Sequence, residues 1–198
     1  MNAAALDADW PRLWALAKRL AERAGGDPDD VFFPLGLRLH GPDGDRWDYH
    51  ATPVNSTTCA STGGDGVHFG LLHGSTAASP TAPVVMTVPM QFDAPNHVVG
   101  ASLREFLALG CRTGYVQLEE LSSRWEQGRL EVVSRLETGH WDVGWEGWDG
   151  LEAAIAPVEL LAALTQEFDL APWANVEQRL AELQARYLPV VQLRQERP

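Results

Sequence analysis

Near the start of the chain, Trp10, Leu13, Trp14, Ala17, Leu20, Ala21 and Ala24 share the spacing of one helix face. This is the pattern of an amphipathic helix with one buried side. Asp9 stands where an N-cap belongs, and Gly25 and Gly26 end the run. Two tryptophans on the apolar stripe predict a helix docked on a sheet. The pattern then breaks. Residues 31–33 and 35–39 read as short strands interrupted by Pro34 and Gly36, residues 41–45 as a turn, and residues 47–51 as a further strand.

The centre is more regular. Gly63, Gly64, Asp65 and Gly66 predict a structural turn. After it Val67, Phe69 and Leu71 alternate with His68, Gly70 and Leu72, as in a half-buried strand. Residues 83–89 form a β-prone run, expected to be an interior strand that pairs with the previous one across a long polar loop. Ser102 and Glu105 have the spacing of a capping box, so a helix begins at Leu103 and ends near Gly110. Another helix is expected over 116–125, with Leu118, Leu121 and Trp125 on one face. Residues 139–150 contain four glycines and read as a loop. Two amphipathic helices follow. One covers 157–168, where Pro157 suits a first turn, and the other covers 174–187. Residues 193–198 are expected to fray. The expected fold class is α+β, with a central, largely antiparallel sheet flanked by helices. A core over 1–150 carries a C-terminal helical pair over 151–198, together one domain.

Composition narrows the function. Apolar residues make up 45% of 198 positions, including eight tryptophans, enough for a core without staples. The apolar runs at 82–90 and 155–164 fall short of the roughly 20 residues a spanning helix needs. The first nine residues carry acids and no apolar block, unlike a secretory leader, so a cytoplasmic location and no membrane contact are expected. Net charge is −12, and residues 119–169 hold twelve acids against three arginines, a local charge of −9. Such a field opposes direct nucleic-acid binding and favours a basic protein partner.

Few residues suggest catalysis. Asp65, His68 and His73 are the metal candidates, but His68 and His73 stand an odd number apart and would face opposite sides of one strand. The chain has no H-E-x-x-H and no C-x-x-C, and the glycine turn lacks the Lys-Ser/Thr of a P-loop. Neither a cofactor nor a metal is expected, and no catalytic residue is assigned. Cys59 and Cys111 are expected to be free and buried. The most unusual feature is Trp141, Trp145 and Trp148 interleaved with Asp142, Glu146 and Asp149. Tryptophan is a favoured interface anchor, and neighbouring acids suit a cationic partner. The same rings could instead pack beneath their loop.

The run Ala-Ser-Thr-Gly-Gly-Asp-Gly-Val-His-Phe-Gly-Leu at 60–71 resembles the signature of the SUKH superfamily. Residues 83–88 resemble the family's following strand, and residues 98–107 its helix start. The resemblance covers about 58–110 together with the first helix. It implies an α+β fold and a non-enzymatic role. Many bacterial members are immunity proteins that neutralise a toxin, often a nuclease. The leading expectation is therefore a binding module for a basic partner such as a toxin, acting through residues 141–149. The alternatives are a small metal-dependent or Cys hydrolase using Asp65, His68 or Cys59, and a homo-oligomeric structural protein, with a homodimer left open.

Overall fold

The computed structural model describes residues 7–45, 47–74, 81–123, 126–139 and 154–194. Within them β1 (Arg38–Leu39), β2 (Ser56–Ser61), β3 (His68–Leu72), β4 (Val84–Thr87) and β5 (Asn96–Gly100) form one sheet. Their order is β1-β2-β3-β4-β5, and every pairing is antiparallel. The α-helices are α1 (Trp10–Ala24), α2 (Leu103–Leu109), α3 (Glu126–Thr138), α4 (Pro157–Phe168) and α5 (Val176–Tyr187). The α+β architecture read from the sequence is the one observed.

Alternation along the strands divides the buried residues between two faces. Phe69 and Leu71 of β3, Val84 and Met86 of β4 and Val99 of β5 enter the main core. There they meet Trp10, Leu13 and Leu20 of α1, Phe106 of α2, and Leu160, Leu164 and Phe168 of α4. The Phe106 ring lies 4.8 Å from that of Phe69 and 5.0 Å from that of Tyr115. Each large apolar side chain buried in this way contributes about 1.5–3 kcal/mol relative to exposure. On the other face, Val98 packs with Leu183 and Tyr187 of α5.

β3 is not half-buried. All five of its residues are buried, because a second layer covers the polar side. Residues 51–55 cross that face and are held there by named bonds. Thr52 Oγ1 pairs with His68 Nε2 at 3.1 Å, and Asn96 Nδ2 donates to the Ala51 carbonyl at 3.0 Å.

Several local expectations are corrected. Phe33–Leu35 is a 3-10 turn in place of a strand, since Pro34 fixes φ and Gly36 takes φ 73 at the exit. A Cβ on Gly36 would stand 2.0 Å from Val116 Cγ2. Residues 47–51 form an irregular cover over the sheet in place of a strand. Ser56–Ser61 is a fully buried strand that its Ser- and Thr-rich composition concealed. The helix expected over 116–125 is a 3-10 segment, Val116–Ser122, and Trp125 lies outside the described residues. Helix α3 was not signalled by a continuous apolar stripe, yet it buries Val132, Val133 and Leu136. At α1, Asp9 occupies the N-cap without a side-chain bond, and Asp7 Oδ1 accepts the Asp9 N–H at 2.9 Å. The capping box at α2 is present in shifted form. Ser102 Oγ accepts the Glu105 N–H at 3.1 Å, while the Glu105 carboxylate reaches back to the Ala101 N–H at 2.6 Å. Among the described residues, no helix is long and apolar enough to cross a membrane.

Candidate partner-binding site

The Trp-acid stretch comprising Trp141, Asp142, Trp145, Glu146, Trp148 and Asp149 lies outside the described residues. The glycine turn is described. It joins β2 to β3 with Gly63 at φ 85, Asp65 at φ 48 and Gly66 at φ 71, values that favour glycine at the first and last of these. Two rings grip it. A Cβ on Gly63 would meet the Phe33 ring at 2.3 Å, and one on Gly66 would meet the Tyr49 ring at 2.8 Å.

The structure does not bring Asp65, His68 and Cys59 together. Cys59 is in the main core, with its thiol 3.4 Å from the Phe69 carbonyl, and burial pushes it up to about 12. His68 belongs to the opposite face. Its Nδ1 donates to the Gly66 carbonyl at 2.7 Å, leaving Nε2 to accept from the Thr52 hydroxyl. Burial lowers the His68 pKa, with a smaller contribution from His40 and an opposing one from the Gly66 carbonyl. A neutral ring with both nitrogens engaged inside the fold is a structural element, poorly placed to move a proton. His73 Nε2 lies 2.8 Å from Thr57 Oγ1. Among the described residues, no three His, Cys, Asp or Glu side chains are grouped to hold a metal.

His68 instead anchors an aromatic cluster. The Trp47 ring lies 5.1 Å from that of His40, 5.0 Å from that of His68 and 5.7 Å from that of Tyr49. His40 Nε2 in turn meets Ser61 Oγ at 3.0 Å. Trp47, Asp48 and Tyr49 line an open cleft of about 270 Å³. These residues sit at the end of the sheet shared by the glycine turn and the β4–β5 hairpin, because His68 pairs with both Ser61 and Thr87, and Thr87 with Asn96. The hairpin carries two of the three most exposed large apolar side chains described, Phe92 at 83% and Met90 at 66%. Acids also gather near the glycine turn. Glu119 is close enough to Asp65 and Glu120 that, after burial, their charges raise its pKa further.

Sequence reasoning missed this cluster because Trp47 and Tyr49 were assigned to a strand. The available signal was the alternation of Trp47, Asp48 and Tyr49 directly after the turn at 41–45, which itself carries Asp43 and Asp45.

Two further clefts among the described residues are better explained as structure. The groove between α1 and α4, about 620 Å³, is lined by Arg12, Arg19 and Arg23. Arg12 and Arg19 both clamp Glu167 there, at 3.0 and 2.7 Å. The cleft beside Trp173 is tied by Arg179 to Glu105, at 2.8 Å, and to Glu182, at 3.0 Å. Comparison with protein-family models, with curated proteins and with solved structures finds no match for this chain.

Proposed function

We propose that this chain is a non-catalytic binding protein for a basic protein partner. The observation that carries the reading is the open cleft of Trp47, Asp48 and Tyr49, set beside the exposed Phe92 and Met90 at the acidic end of the sheet. Aromatic anchors that exclude water, ringed by charge, are the usual composition of an interface centre. The charge of −9 over 119–169 would speed the encounter with a basic surface. The SUKH resemblance of residues 58–110 supports an immunity role in which the partner is a toxin such as a nuclease. In that role, Trp141, Asp142, Trp145, Glu146, Trp148 and Asp149 supply a second contact region. The buried thiol of Cys59 and the engaged ring of His68 weigh against the hydrolase alternative.

The test begins with proteins recovered on the full chain from native lysate at low and high salt. A purified basic candidate is then titrated against the wild type, Tyr49→Ala with Phe92→Ala, and Trp141→Ala with Trp145→Ala and Trp148→Ala. The expected result is salt-sensitive binding weakened about tenfold or more by at least one set, the loss of about 1.4 kcal/mol that one anchor supplies. Binding that is indifferent to salt and to both sets, with all variants folded, overturns the reading.

A further inference from the structure

The C-terminal segment after α5 lies along residues 54–55 in the manner of a short added strand. The Val54 N–H donates to the Gln192 carbonyl at 2.8 Å. The Asn55 side chain then accepts the Gln192 N–H at 2.9 Å and donates to the Val190 carbonyl at 2.9 Å. Val191 between them is extended, with φ −67 and ψ 126. This alignment delivers the Arg194 guanidinium to the carboxylate of Asp48, between the two rings of the cleft in sequence.

We infer that the Trp47–Asp48–Tyr49 cleft is a receptor for an arginine side chain carried by an extended basic segment of the partner, and that residues 190–194 are its built-in competitor. The inference rests on the basic partner proposed above. Trp47 and Tyr49 stand 5.7 Å apart with their planes tilted by 45°, a pair of π faces beside a carboxylate. Ring faces attract cations, and a carboxylate accepts the planar fork of a guanidinium at two points, so arginine fits better than lysine. The contact that Arg194 makes with Asp48 is weak. The side chains of Arg194 and Asp48 are 50% and 75% exposed, and exposed ion pairs contribute little. Leu188, Val190 and Leu193 on the same tail are partly exposed. An incoming strand could therefore take over the bonds of Val54 and Asn55 as well as the carboxylate, as in strand addition.

The probe is a labelled peptide of the sequence Leu-Pro-Val-Val-Gln-Leu-Arg, its end amidated, with a second peptide ending in Ala as control. Binding is followed by anisotropy on the full chain, on Arg194→Ala, and on Arg194→Ala combined with Asp48→Asn. Removing a tethered competitor should tighten the arginine peptide by at least about threefold in Arg194→Ala, since a short tether holds its ligand at millimolar effective concentration. Asp48→Asn should return it to the level of the Ala-ended control, with unchanged melting temperature showing that the fold is intact. Equal binding by all three proteins, equal binding of the two peptides, or no binding to Arg194→Ala overturns the inference. The broader reading is judged separately. If a basic partner still binds through Phe92 or the tryptophans while Asp48 and Arg194 are indifferent, the inference fails and the proposed function stands.

Discussion

The side-chain amide of Gln184 on α5 makes to Val98 of β5 the two hydrogen bonds that a neighbouring strand would make. Its Oε1 accepts the Val98 N–H at 2.8 Å, and its Nε2 donates to the Val98 carbonyl at 2.7 Å. β5 is the last strand of the sheet, so a helix side chain closes an edge that would otherwise present free backbone groups. Leu183 and Tyr187 pack on the side chain of Val98 and hold the helix there.

Gln184→Ala should therefore lower unfolding stability by about 1–3 kcal/mol, the range for a backbone pair left unsatisfied. It should also make the protein more prone to associate through β5. Denaturant unfolding reads the first effect and light scattering at rising concentration the second. Unchanged values in both would mean that the edge does not need the amide.

Stability should fall on mild acidification. Burial lowers the pKa of His40, His68 and His97 in the folded chain, so the folded state favours the neutral rings. In the unfolded chain a histidine protonates at about 6.5. Between that value and the lowered folded value, the unfolded state binds more protons, so stability is full above the unfolded pKa and lost as pH falls through this window. His68→Gln removes one of the three groups, and its unfolding free energy should depend less steeply on pH between about 7.5 and 5.5. Equal slopes for the two proteins would show that the His68 ring does not titrate with folding.

Helices whose apolar faces are regular were legible in the sequence, namely α1, α4 and α5, and so was the alternating core side of β3. What was hidden depended on partners distant in the chain. Ser56–Ser61 looks polar, yet its residues are buried because β1 and β3 flank it and other segments cover it. His68 looks like a solvated polar-face residue, yet Thr52 and the Trp47 ring enclose it. The aromatic cleft is a tertiary product of this kind. Trp47 and Tyr49 are organised by stacking on His68, a contact that no local periodicity encodes.

The thiol of Cys59 should be inert in the folded protein. It lies in the core at 1% exposure, and burial pushes it up to about 12, so almost no thiolate exists at ordinary pH. In a Cys111→Ser background, an alkylating reagent at about pH 8 should label nothing until denaturant is added, and then label one thiol. Rapid labelling of the native protein would contradict the core position of β2.

Asp7 is the deepest carboxylate described, at 0% exposure, and it ties three parts of the chain together. Its Oδ1 accepts the Asp9 N–H ahead of α1. Its Oδ2 accepts the Ala82 N–H before β4 at 3.2 Å and the Leu103 N–H at the start of α2 at 3.1 Å. Asparagine cannot reproduce this, because its amide nitrogen would face backbone donors in place of one oxygen. Asp7→Asn should cost about 2–4 kcal/mol, from one or two buried N–H groups losing their acceptor. Burial is the largest influence on Asp7 and raises its pKa, while the three backbone bonds pull it back. With the folded value above the unfolded one, the folded state binds more protons between them. The stability contributed by Asp7 should therefore grow as pH falls through the folded pKa, opposite in sign to the histidines. Comparing the unfolding free energies of the wild type and Asp7→Asn from about pH 7 down to pH 4 reads this directly. The gap between the two proteins should widen on acidification, and a gap that narrows would show that Asp7 is held as a stabilised carboxylate instead.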